Sequence, residues 1–260
     1  MAAPNQSPQD EHHIQVRGVS KSFGKKHVLT DLDMSFERAR VTVIIGGSGT
    51  GKTTLLRMLI GLEKPTSGSI IIDGEDTAPL GDRAMNKVRR KFGMLFQSAA
   101  LFDSLNVAQN ISFVLRREKK LSDQEINERV EEVLEMVELP GTQKKKPSEL
   151  SGGMRKRVGL ARAIIYKPEI LLYDEPTTGL DPVVSDSIDQ LIIRVREKLK
   201  ITTVVVTHDT RSMRRVGQRI LMMLDGKIYA AGPPEEIFSS KDPVVHRFVN
   251  GISDAKEHTF

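Results

Sequence analysis

Short apolar runs rich in β-branched residues alternate along the chain with segments whose apolar residues recur every three or four positions. That alternation predicts an α/β architecture. Four runs, Val41–Ile45, 92–96, 170–173 and 201–206, are almost continuously apolar, as strands of a mostly parallel sheet buried on both faces must be. Runs at 14–17, 33–36 and 69–73 are separated by turns and predict an antiparallel β layer flanking that sheet. Between about 98 and 165 the strand pattern stops. Ser122-Asp123-Gln124-Glu125 is a capping-box sequence, and Ile126, Val130, Val133, Leu134 and Val137 follow at helical spacing until Pro140-Gly141 ends the helix. A helical subdomain inserted into the α/β core is expected there. Residues 226–260 read as a short tail, with a break at Gly232-Pro233-Pro234 and a helix at 235–239. One domain over 12–250 is therefore expected, between a polar, Pro-containing disordered tail at 1–11 and a C-terminal tail at 251–260.

Composition narrows the class. The chain has no cysteine, which excludes a disulfide scaffold and any cysteine metal site. Its apolar runs are strand-sized, far below the ~20 residues of a membrane-spanning helix, and no secretory signal is read. A soluble chain that does not cross a membrane by itself is expected. The net charge of +5 reads as a solvated surface. The densest basic cluster, Lys144-Lys145-Lys146, has no interleaved aromatics on which bases would stack, so no nucleic-acid partner is expected.

The chemistry-bearing motifs stand at strand ends. Gly46-Gly47-Ser48-Gly49-Thr50-Gly51-Lys52-Thr53 matches the phosphate-loop pattern directly after a strand and before a helix. Its glycines let backbone N–H groups turn inward onto phosphates, and the following helix offers its positive end. Lys52 places a charge between β- and γ-phosphates, the Thr53 hydroxyl suits Mg²⁺, and Thr54 suits the α-phosphate. The strand at 170–173 runs into Asp174-Glu175. Asp174 is placed to hold Mg²⁺, directly or through water, and Glu175 to polarise an attacking water. His208 follows another core strand, where ligands of open α/β sheets collect, and suits a γ-phosphate contact. Gln97 ends the strand at 92–96, and its amide can meet Mg²⁺ or the attacking water. ATP and Mg²⁺ are the expected cofactors.

Leu150-Ser151-Gly152-Gly153-Met154-Arg155-Lys156-Arg157 resembles the signature sequence of ABC-transporter ATPases. The chain order of Phe23, the phosphate loop, Gln97, this signature, Asp174-Glu175, Asp181 and His208 is the order of that family over residues 12–250. The resemblance implies a P-loop NTPase fold with a RecA-like, mostly parallel sheet, an antiparallel β subdomain and an inserted helical subdomain. It assigns Phe23 to adenine stacking. It also assigns Ser151, Gly152, Gly153 and Asp181 to an ATP held by a second copy of the chain, so that two copies close head to tail. Met154 stands where the family commonly has glutamine, with weak consequences expected for hydrolysis.

The segment Gln97-Ser98-Ala99-Ala100-Leu101-Phe102-Asp103-Ser104-Leu105 is unusually apolar for a loop. Leu101, Phe102 and Leu105 either receive a helix from an integral-membrane permease or fill the seam between subdomains. This segment, 92–97, the signature with Met154 and the stretch 242–251 look closest to the ATPases of Mce-type lipid transporters. That resemblance implies a peripheral protein on the cytoplasmic face of a bacterial inner membrane. Its partners would be a permease, a periplasmic Mce-domain lipid-binding protein and a small cytosolic protein. Val245, Phe248 and Val249 would give the tail an apolar side for subunit contact. An importer ATPase for amino acids or another polar solute, and an ATPase of iron–sulfur assembly, remain as alternatives.

Overall fold

The computed structural model describes residues 12–252. The expectations for 1–11 and 253–260 lie outside the described residues. The chain forms two compact units, one from residues 12–89 with 202–252 and the other from Arg90–Ile201.

In the first unit, β1 (His12–Phe23) and β2 (Lys26–Glu37) form a long antiparallel hairpin. Ile14 faces Phe36 and Val16 faces Met34 across the ladder, and all four are buried. After β3 (Val41–Ile45) and α1 (Lys52–Leu59), β4 (Ser67–Ile72) pairs with β1 and β5 (Glu75–Asp76) with β4. The resulting antiparallel sheet runs β2-β1-β4-β5. Its hairpin is three times longer than the runs at 14–17 and 33–36 suggested, because the distal half pairs through polar residues such as Lys21, Ser22 and His27. Next comes α2 (Asp82–Arg89), whose few apolar residues gave no helical period in the sequence.

The second unit opens with β6 (Phe92–Leu95), one residue shorter than predicted. Helices α3 (Val107–Glu118), α4 (Asp123–Met136) and α5 (Gly152–Ile164) follow. The capping box at Ser122 forms: Glu125 N–H donates to Ser122 Oγ at 3.2 Å, and Ser122 N–H donates to Glu125 Oε2 at 2.7 Å. β7 (Ile170–Asp174) pairs in parallel with β6, and α6 (Pro182–Leu199) closes the unit. α5 packs tightly on this pair. A Cβ added at Gly93 of β6 would lie 2.4 Å from the Ala163 carbonyl oxygen and 2.8 Å from Leu171 Cδ1.

The chain then returns to the first unit as β8 (Thr202–Val206), α7 (Thr210–Val216), β9 (Arg219–Leu224), β10 (Lys227–Gly232), α8 (Pro234–Phe238) and α9 (Pro243–Asn250). β3 pairs in parallel with β8 on one edge and with β9 on the other, and β10 is antiparallel to β9. The predicted tail from 226 is thus corrected: β10 is a sheet strand. Val245 and Val249 of α9 are buried, so most of the apolar side expected to meet another subunit is spent within the chain. No described helix is long and apolar enough to cross a membrane.

Overpacking at a site with so little room costs about 1–3 kcal/mol. Gly93→Ala is accordingly expected to lower the urea unfolding midpoint, measured by circular dichroism.

Candidate active site

In the first unit, β3 delivers the chain into the loop. Gly46 has φ 149°, and a Cβ on it would lie 2.4 Å from the carbonyl oxygen of Met223 on β9. Gly51, with φ 96°, caps α1, and a Cβ there would meet Leu29 Cδ2 at 2.4 Å. Both ends of the loop therefore require glycine, for space and backbone hand together. Between them Lys52 folds back: Nζ donates to the carbonyls of Gly46 at 2.8 Å and Gly47 at 2.7 Å. Thr50 Oγ1 donates to the Gly47 carbonyl at 3.0 Å. α1 starts with no side-chain cap and no acidic residue in its first turn, so its positive end is left to an anion. Ser48, Gly49 and Thr53 are exposed, with Thr54 half-buried.

Thr207 N–H donates to the Ile44 carbonyl at 3.2 Å, extending the β8–β3 ladder by one rung. His208 stands exposed just beyond it, beside the strand that feeds the loop. Asp209, not His208, caps α7. Phe23, at the end of β1, is 48% exposed, and Lys21 Nζ lies 4.7 Å from its ring centroid.

In the second unit, Asp174 is the buried last residue of β7. Glu175 follows with φ 50°, a left-handed backbone that a non-glycine residue holds only under constraint. Its Oε2 accepts from Thr178 Oγ1 at 3.1 Å. Gln97 lies exposed two residues past β6. Sequence reasoning missed what joins them. Lys156 of α5 is 5% exposed, and its Nζ donates to the Gln97 carbonyl and, at 3.1 Å, to the Glu175 carbonyl. Burial pushes the Lys156 ammonium below its ordinary pKa, while the charges of Glu175 and Asp174 oppose that shift. Arg162, further along α5, donates to the carbonyls of Ala99 at 2.7 Å and Ala100 at 2.6 Å. Both alanines have positive φ.

Ser151 is the N-cap of α5, its Oγ accepting from Met154 N–H at 3.2 Å. Gly152 is half-exposed. Gly153 is buried, with only 2.5 Å between a notional Cβ and Val184 Cγ1. Asp181 caps α6, accepting from the N–H groups of Val183 and Val184 at 3.0 Å. The signature and the Asp181 turn thus meet at Val184.

Of the apolar loop residues, Leu101 and Leu105 are half-buried, while Phe102 is 46% exposed. The ring of Phe102 lies 4.9 Å from that of Phe113, and Phe113 and Val114 are exposed beside it on α3. Asn110, fully buried, shapes this loop: its Oδ1 accepts from Phe102 N–H at 2.8 Å, and its Nδ2 donates to the Phe102 and Leu105 carbonyls at 3.1 Å. The only sequence signal was an amide on the apolar face of a helix. Asn110→Ala leaves buried backbone groups unpaired, which costs about 1–3 kcal/mol. Faster hydrogen exchange confined to 102–105 is expected in that variant.

The loop fits a nucleotide's phosphates: glycine cradle, central ammonium and open helix start coincide.

The sequence profile of the ABC transporter family matches residues 29–178. A probable ribonucleotide transport ATP-binding protein, mkl of Mycobacterium leprae, is 42% identical over 238 residues, covering 92% of this chain and 69% of that protein. The intermembrane phospholipid transport system ATP-binding protein MlaF of Haemophilus influenzae is 37% identical over 245 residues, covering 94% of this chain and 93% of that one. Among solved structures, the dimeric post-hydrolysis state of the ATP-binding cassette MJ0796, bound to ADP and Pi, superposes with a TM-score of 0.77. It is 34% identical, over 85% of this chain and 98% of that one. With strand-end phosphate loop, signature helix and acidic strand terminus all in place, the chain belongs to the ABC transporter family as an ATP-hydrolysing, ATP-binding subunit.

Proposed function

We propose that this subunit powers lipid movement between bacterial inner and outer membranes, working as two copies with a separate integral-membrane permease and a periplasmic Mce-domain protein. A small cytosolic partner completes the assembly, and the ATPase sits peripherally on the cytoplasmic face of the inner membrane. The observation that carries the cargo is the match, over nearly the full length of both chains, to a relative named for intermembrane phospholipid transport. The relative named for ribonucleotide transport supports a second reading, import of a polar solute. ATP-driven transfer of a fluorescent phospholipid by the purified complex in proteoliposomes tests the first. Transfer of a nucleoside or other polar solute with no phospholipid movement would replace it with the second.

The chain's own residues divide the reaction. Phe23 offers an exposed ring to adenine. The backbone of Gly46–Thr54, Ser48 and Thr50 included, wraps the phosphates, and Lys52 gives up its loop carbonyls for the β- and γ-phosphates. Thr53, Gln97 and Asp174 would each offer an oxygen to Mg²⁺, which when bound would offset phosphate charge. The Glu175 carboxylate accepts a proton from water as its oxygen attacks the γ-phosphorus. The bond to the ADP oxygen breaks, leaving ADP and phosphate. His208 donates to a γ-phosphate oxygen. Ser151, Gly152 and Gly153 present an N-capped helix start to the ATP of the second copy, and Asp181 lies beside them. Met154 contributes its N–H to the Ser151 cap, a role its side chain does not affect.

Glu175→Gln should bind ATP without turning it over, giving a dimer by size-exclusion chromatography in ATP and a monomer without it. A monomer under both conditions counts against the head-to-tail sandwich. Phe102→Asp should lose co-purification with the permease while binding ATP as the unmodified chain does, because it charges the exposed Phe102–Phe113 surface.

A further inference from the structure

α5 bears the signature at its start and, in its second turn, a lysine with almost no solvent exposure. A buried ammonium loses its hydration and must recover those bonds from the protein. Here it recovers them from two main-chain carbonyls, those of Gln97 and Glu175. These residues come after two adjacent parallel strands, β6 and β7. Glu175, one residue past β7, is also held at φ 50°, so its peptide leaves the ladder, and its carbonyl accepts from Thr178 N–H at 3.3 Å as well as from the shorter Lys156 contact. Arg162 repeats the device on the same helix for Ala99 and Ala100, again at left-handed residues. One rigid helix therefore fixes the backbone of both segments.

We propose that Lys156 is a positioning residue for hydrolysis. It sets the spacing of Gln97 and Glu175 and, because it shares a helix with Ser151, ties that spacing to the seating of the signature on the second copy's ATP. The inference rests on the sandwich reading above. When the signature seats, any shift or rotation of α5 is delivered by the Lys156 ammonium to the two carbonyls it holds. The proton-accepting carboxylate is thereby aimed only in the closed pair. Lys156 acts through the two carbonyls it holds.

The test compares variants of the full chain by steady-state ATPase kinetics and by fluorescent ATP-analogue titration. Lys156→Met keeps length and helix preference but removes every donor. Its kcat is expected to fall at least tenfold, with KM and the nucleotide Kd within about twofold of the unmodified chain. Lys156→Gln restores two N–H donors at nearly the same reach and is expected to recover kcat to within about threefold. A purely structural lysine would not give this split and rescue. The proposal is overturned if K156M keeps its kcat, if its Kd weakens in step with kcat, or if K156Q is as impaired as K156M. Should K156M fail to fold by circular dichroism, Lys156→Asn takes its place. Asparagine is too short to span both carbonyls, so the same loss is expected, and a K156N kcat equal to that of K156Q overturns the proposal. Failure of the underlying reading shows separately, as a Glu175→Gln chain that stays monomeric by size-exclusion chromatography with and without ATP.

Discussion

β3 has no freedom. Its five residues are buried, one edge is hydrogen-bonded to β8 and the other to β9. A strand so enclosed can release the chain only at its carboxyl end, and the loop residues beyond it must squeeze past its neighbours. At Gly46 the neighbour is the backbone of β9, and at Gly51 it is Leu29 of β2. The loop is thus held in a slot set by three strands, and α1 starts where the slot ends. Its glycine backbone is fixed by contacts with β9 and β2, so the course of its N–H groups is set by packing within the chain. Preorganisation of this kind is what gives electrostatic stabilisation its strength.

The second unit solves a different problem. The residues after β6 and β7 do not continue as ideal strand or helix: Ala99, Ala100 and Glu175 all take left-handed backbones. Such conformations persist when the surroundings over-determine them, and here the surroundings are two long basic side chains of α5. Lys156 and Arg162 serve as internal braces, their charges satisfied by carbonyl oxygens. The exposed apolar surface near Phe102 is similarly held from beneath by Asn110. In each case a polar side chain does locally what a β-ladder does elsewhere.

Legibility tracked burial and periodicity. Val41–Ile45 and the strands near 92–96, 170–173 and 201–206 were readable to within a residue because heavily buried strands are dense in apolar and β-branched residues. The hairpin of β1 and β2 was readable only at its core-facing end, since polar residues pair as well as apolar ones where water is near. β9 was missed although Ile220-Leu221-Met222-Met223 is an apolar run, because methionine carries no β-branched signature. β10, with every second residue exposed and few β-branched side chains, left no clear period.

By itself, the sequence determined the α/β class, the phosphate loop, the acidic strand end and the signature. Each is a local pattern in which neighbours in the chain supply the chemistry, so order and spacing suffice. Tertiary structure decided everything that depends on residues distant in the chain. It placed the Lys156 ammonium on carbonyls 59 and 19 positions away and spent Val245 and Val249 inside the chain. A lysine in a helix reads as a solvated face until packing removes the water. Only then does its charge acquire specific partners, and with them a part in positioning Gln97 and Glu175.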